Sequence, residues 1–182
     1  MSKVVSQPAV VAGWQVSLYP DAGEASASHR STAGRIERDS VVVPSSGGSE
    51  RSSIEAARRA KGKVRRYCAA NGLNRFGTLT YAGDGCHDPR EVRADVGPFF
   101  RRLRRALGEP FPYLWVPELH PGGHGFHVHF VVGRFVPRGL IEAAWGLGYI
   151  YIKLIGDLPA GSGLREESRV AARYISKYIG KD

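Results

Sequence analysis

The sharpest alternation of apolar and polar positions begins at residue 75. Residues 75–81 read Arg-Phe-Gly-Thr-Leu-Thr-Tyr, β-branched and aromatic, and predict a strand. Phe76, Thr78 and Thr80 then share one face, and Gly77, Leu79 and Tyr81 the other. A polar Gly/Asp loop leads to a helix over 88–107. Residues 113–119 and 126–134 predict two more strands, and Pro121-Gly122-Gly123 between them is a turn, so they form a hairpin. Pro137 starts a short helix ending near Gly146. A fourth strand over 149–155, a glycine loop at 161–163 and a helix over 165–179 complete the pattern. Strand, helix, strand, strand, helix, strand, helix predicts an α+β, ferredoxin-like split βαβ arrangement with a central antiparallel sheet.

The pattern is weaker upstream. Ser52 or Ser53 caps a helix that runs to about Ala70 and stops at Asn71-Gly72. Residues 10–18 and 35–43 read as two strands, either a hairpin added beside the main sheet or a mobile tail. Residues 22–32 are rich in Ala, Ser, Gly and His, and 45–49 is a flexible linker by composition. The expected organisation is an N-terminal extension over 1–50 and one catalytic-sized domain over 51–182.

Charge narrows the partner. Lys and Arg number 26 against 17 Asp and Glu, a formal charge of +9. Such a surface suits a polyanion, because phosphate contacts release condensed counterions. No apolar run is long enough for a membrane span, and the first twenty residues lack a secretory pattern, so a cytoplasmic protein with no membrane partner is expected. Cys68 and Cys86 show no CxxC spacing and read as structural thiols.

Two segments carry candidate chemistry. In the run from Glu118 to Phe130, His127 and His129 point to the same side of a strand, while Val128 and Phe130 point to the core. Glu118 lies on the partner strand of the hairpin. Two imidazoles and one carboxylate on one divalent ion leave positions open for water and a phosphate oxygen. His120 and His124 are rival ligands beside the turn, a four-histidine zinc site is geometrically awkward, and a His-x-His pair alone is also ordinary polar surface. In the terminal helix, Tyr174 and Tyr178 are one turn apart, with Lys177 and Lys181 three residues after each. A phenol, with a pKa of about 10, needs nearby positive charge to act as a nucleophile. The same pattern also describes an amphipathic helix whose tyrosines pack on the sheet. Arg101, Arg102, Arg104 and Arg105 on one helix are candidates for phosphate contacts, equally readable as a solvated basic face.

Together, in this order, the segments resemble the HUH endonuclease superfamily, in particular rolling-circle replication initiator (Rep) catalytic domains of bacterial plasmids and phages. Phe76 to Tyr81 is similar to the family's F-x-T-L-T-Y strand, His127-Val128-His129 with Glu118 to its metal motif, and Tyr174/Lys177 and Tyr178/Lys181 to its Y-x-x-K helix. The paired tyrosines look like the two-tyrosine initiators of small single-stranded DNA phages, and histidines before tyrosines argue against conjugative relaxases. The resemblance implies Mg²⁺ or Mn²⁺ on Glu118, His127 and His129. It implies a nickase in which Tyr174 or Tyr178 attacks the scissile phosphate of single-stranded DNA at an origin hairpin, leaving a 5′-phosphotyrosine and a free 3′-hydroxyl. Lys177 and Lys181 stabilise charge. Thr78, Thr80, Tyr81 and the four arginines contact DNA, and a host replication helicase and polymerase follow as partners. Two other readings stand beside it: a two-tyrosine HUH transposase, and a non-catalytic ferredoxin-like nucleic-acid-binding module.

Overall fold

A computed structural model describes residues 13–30, 47–153 and 161–180. Its elements are β1 (Gly13–Tyr19), β2 (Glu24–Arg30), α1 (Gly47–Ala70), β3 (Arg75–Tyr81), α2 (Pro89–Leu107), β4 (Tyr113–Leu119), β5 (Phe126–Val132), α3 (Arg138–Trp145), β6 (Gly148–Lys153) and α4 (Gly163–Ser176). From β3 onward the order is the expected one. The strands line up as β4-β5-β3-β6, all antiparallel, which is a ferredoxin-like α+β sheet with its first strand inside.

Alternation along each strand divides the hydrophobic residues between two cores. Leu79, Val128, Phe130 and Ile150 enter the larger one, with Val92, Val96 and Phe99 of α2 and Trp145 of α3. Phe76 and Val131 face the other way and are buried with Ala171, Ala172 and Ile175 of α4 and Cys68 of α1. So α2 and α3 cover one side of the sheet, and α4 with α1 the other. Gly77 is opposite Phe130 in the register, and a Cβ there would collide with the Phe130 ring. A bare backbone at that position lets the aromatic lie across the central strand. The β4–β5 turn is tied to the loop after β3: Phe126 N–H donates to the Cys86 carbonyl at 2.7 Å, and Gly125, at φ 76°, has no room for a Cβ against the Cys86 backbone.

The N-terminal part departs from expectation. β1 pairs with β2 rather than with residues 35–43, which lie outside the described residues. The connection is a short 3-10 turn at Pro20–Ala22 closed by Gly23 in the left-handed region. The Ala/Ser-rich β2 carries little sequence signal for β structure, yet the tight turn brings it into register. The hairpin rests on α1: Arg65 donates twice to Glu24, at 2.8 and 3.0 Å, and the Arg66 guanidinium lies 4.2 Å from the Tyr19 ring centre. α1 itself begins at Gly47, so Gly47 to Ser49 of the expected linker is helical. Once a helix is nucleated, each added residue gains a hydrogen bond, which offsets poor glycine propensity. α4 ends at Ser176 rather than near 179, and Lys177, Tyr178 and Ile179 continue through tighter bonds to the carbonyls three residues back, at 3.2, 3.2 and 3.3 Å.

Ile175 is the fully buried anchor of α4. Ile175→Ala is expected to lower unfolding free energy by about 2–5 kcal/mol in urea titration. The exposed Ile54→Ala should change it by no more than about 0.5 kcal/mol.

Candidate active site

Residues directly opposite in antiparallel strands share a face, so the register lays out rows across the sheet. One row reads Tyr149, Thr80, His127, Glu118; the next reads Tyr151, Thr78, His129, Val116; the third reads Lys153, Phe76, Val131, Leu114. All lie on the α4 side. The third row is packed around α4, and the polar residues of the first two rows lie beside it.

His129 is the fixed point. It is 5% exposed, and both ring nitrogens are engaged: Nδ1 with Thr78 Oγ1 at 2.9 Å and Nε2 with Glu118 Oε2 at 2.9 Å. With Glu118 ionised, Nε2 carries the proton and donates to the carboxylate, and Nδ1 accepts from the Thr78 hydroxyl. A hydroxyl both donates and accepts, so Thr78 can hold the ring in the opposite tautomer as well. His127 sits directly across from Glu118. Burial holds its pKa below the ordinary histidine value, and the neighbouring His120, His129 and His124 push the same way against the opposing pull of Glu118. The neutral imidazole this favours is the form that ligates metals. His120 comes within 4.8 Å of His127 ring to ring and His124 within 5.4 Å of His120, so the rival histidines lie alongside at the turn. Among the described residues, no three His, Cys, Asp or Glu side chains are arranged as an ion would hold them. Glu118 and His129 are bonded to one another instead.

Both phenols are on the imidazole side of the sheet. The Tyr178 ring stacks on His129, centroids 3.6 Å apart and planes 15° apart. Phe76 supports this stack, 5.6 Å from His129 and 6.4 Å from Tyr178, and is 6.2 Å from Tyr174. Lys177 Nζ is 4.7 Å from the Tyr174 ring centre. Lys153 Nζ is nearer, at 4.0 Å, and a hydrogen bond with Tyr174 raises its pKa. Lys181 lies outside the described residues.

Several expected DNA contacts are not brought to this face. Tyr81 turns into the other core, its hydroxyl donating to Asp95 at 3.0 Å and its ring 4.9 Å from Trp145. Burial, then Asp95, raises its pKa. The alternation of β3 already puts it opposite Thr78 and Thr80. The α2 arginines are on the far side of the sheet. Arg102 donates to the Ala144 carbonyl at 2.7 Å, Arg104 donates to the Phe111 carbonyl at 2.8 Å and covers the Tyr113 ring, and Arg101 and Arg105 are exposed. Three residues of β6 join the site without having stood out in the sequence: Tyr149, Tyr151 and Lys153. Their spacing, Tyr-x-Tyr-x-Lys, places them on one face, but only the register with β3 reveals which face. Tyr149 is 70% and Tyr151 62% exposed, unusual for aromatics on a sheet.

The fold and the ordered motifs define a replication-associated protein. The chain belongs to the ORF2-type family of replication-associated proteins, whose model matches residues 74–182, from the start of β3 past both tyrosines. No curated protein and no solved structure matches the chain. Among the described residues, no helix is long and apolar enough to cross a membrane.

Thr78→Val removes the hydroxyl at nearly constant volume. It should cost about 0.5–1.5 kcal/mol of stability. Mn²⁺ affinity by titration calorimetry should fall about 10–100-fold if Thr78 orients a ligand histidine. Thr78→Ser should restore both; unchanged Mn²⁺ affinity in the valine variant removes Thr78 from that role.

Proposed function

We propose that this protein is a metal-dependent nicking and joining endonuclease that cuts single-stranded DNA at an origin hairpin through a 5′-phosphotyrosine and so initiates rolling-circle replication. The observation that carries the reading is the Tyr178 ring stacked on His129, whose imidazole is itself bound to Glu118. Nucleophile candidate and metal-ligand candidates thus meet at one point of the sheet, within a family of replication-associated proteins.

The donor set fits a divalent ion. Glu118 and His127 are paired across β4 and β5, His129 already bonds Glu118, and an ion taking the place of the shared proton would be held by all three. Bound Mg²⁺ or Mn²⁺ supplies charge stabilisation to a scissile phosphate oxygen. The protein does the rest. Thr78 keeps the His129 ring oriented. The Tyr178 oxygen attacks phosphorus, forming a phenolic ester while the bond to the 3′-oxygen breaks. The phenolic proton leaves and the 3′-oxygen gains one. One phosphodiester replaces another, so the step needs no nucleotide cofactor and can run backward to rejoin strands. Tyr174, with Lys153 and Lys177 beside its ring, is the second phenol, suited to the joining step. Lys181 would serve Tyr178 by the same spacing. The free 3′-hydroxyl primes a host polymerase, with a host helicase opening the duplex, in the cytoplasm.

The exposed Tyr149 and Tyr151 extend the His127 and His129 rows toward the sheet edge, where unpaired bases can stack. Their side chains are two residues apart on one strand, roughly 7 Å at about 3.3 Å per residue. Thr80, between Tyr149 and His127, is the polar group nearest that path.

With a hairpin-bearing oligonucleotide and Mn²⁺, the wild type should form a covalent adduct on a denaturing gel, and chelator should abolish it. Tyr178→Phe should slow adduct formation by about 10⁴-fold or more. Tyr174→Phe should retain it and lose rejoining. An adduct that survives in the double variant rules out the tyrosine mechanism.

For base stacking, Tyr149→Ala and Tyr151→Ala should each weaken single-strand binding by about 1–3 kcal/mol, read by fluorescence anisotropy in chelator. Full affinity in the double variant would remove the platform from the account.

A further inference from the structure

α1 and α4 pack against one another and border a broad groove of about 1280 Å³. Its wall is strongly cationic: Arg58, Arg59, Lys61 and Arg66 of α1 and Arg173 of α4 line it, with Lys177 just after α4, against the lone carboxylate of Glu55. Arg59 pairs with Glu55 at 3.5 Å, but both side chains are mostly exposed, so that bond neutralises little. Arg66 is occupied with Tyr19. Arg58, Lys61 and Arg173 form no ion pair among the described residues. Like charges crowded along one wall repel, and a polyanion relieves that repulsion.

The groove connects to the site. Lys177 lines its end and also sits 4.7 Å from the Tyr174 ring centre. The lining of α1 runs from Ser53 to Arg66, about 20 Å at ~1.5 Å per residue. That length spans about six phosphates of one duplex strand at ~3.4 Å axial spacing. α1 also lies outside the family-matched segment of 74–182, so the groove is built by a helix that the common domain does not include.

We propose that the α1/α4 groove is a phosphate-backbone site that holds DNA flanking the cleavage position, as a stem or a single-stranded tail. Its placement beside a cleavage position rests on the nickase reading above, whereas its affinity for DNA does not.

The test is binding in chelator, without cleavage, measured against salt. Three probes are used: a short single strand covering only the hairpin loop, the same strand with a single-stranded tail, and the same strand with its stem. The variants are Arg58→Gln/Arg59→Gln/Lys61→Gln and the charge-reversed Arg58→Glu/Lys61→Glu, with thermal unfolding confirming that each is folded. In the triple variant the slope of log affinity against log salt should become shallower by about 2–3 on an extended probe, at about 0.7–0.9 per lost contact. The short strand should bind unchanged. Loss on the tailed probe alone identifies single strand, and loss on the stem probe identifies duplex. Arg101→Gln/Arg105→Gln, on the opposite side, should leave every slope unchanged. Wild-type slopes in folded triple and charge-reversed variants overturn the proposal, as does a folded variant that loses anionic vesicles while keeping DNA. If no adduct forms with any probe but the slopes fall as stated, the groove stands and the nickase reading falls.

Discussion

Everything at the site is referenced to one imidazole. His129 sits on β5, with Thr78 on one neighbouring strand and Glu118 on the other, each bonded to a different ring nitrogen at 2.9 Å. A histidine 5% exposed with both nitrogens satisfied has no rotational freedom left, so its face becomes a rigid surface. Tyr178 stacks on that surface, and Phe76 lies beside both rings. The strand register therefore reaches the terminal turn through ring contacts. A one-residue slip of β5 would send both histidines into the opposite core.

The two sides of the sheet have different tasks. Aromatics and branched residues of α2 and α3 fill one side without polar interruption. The other side has a smaller apolar cluster under α4, and the polar rows begin where that cluster ends. The small residues Ala171 and Ala172 let α4 lie close to the sheet, which brings a side chain as short as tyrosine within reach of the second row. α1 widens this side further, adding a helix rich in cations and a hairpin anchored through Arg65 and Glu24.

Much of this is legible in the sequence because period-2 alternation is a local property. It places Thr78 and His129 on one face, sends Val128 and Phe130 to the core, and puts Tyr81 away from the threonines. What it misses depends on contacts distant along the chain. Lys153 is opposite Phe76 only through the β3–β6 register, so nothing near it marks it as a neighbour of Tyr174. The Ala/Ser strand β2 has too little side chain to announce itself, and its turn, not its composition, makes it a strand. The α2 arginines read as one basic face, yet Arg102 and Arg104 are drawn in by backbone carbonyls that belong to other elements. Tyr178 reads as helical, and it lies just beyond the end of α4, where the tighter turn still keeps it on the face of Tyr174.

Peptide mapping of the covalent product examines the convergence of phenol, imidazole and carboxylate most directly. Trypsin cuts after Arg173, Lys177 and Lys181, so Tyr174 and Tyr178 fall in separate peptides, 174–177 and 178–181. After reaction with Mn²⁺ and nuclease trimming, mass spectrometry should find the nucleotide mass on peptide 178–181. The same mass on any peptide containing neither tyrosine would contradict the account.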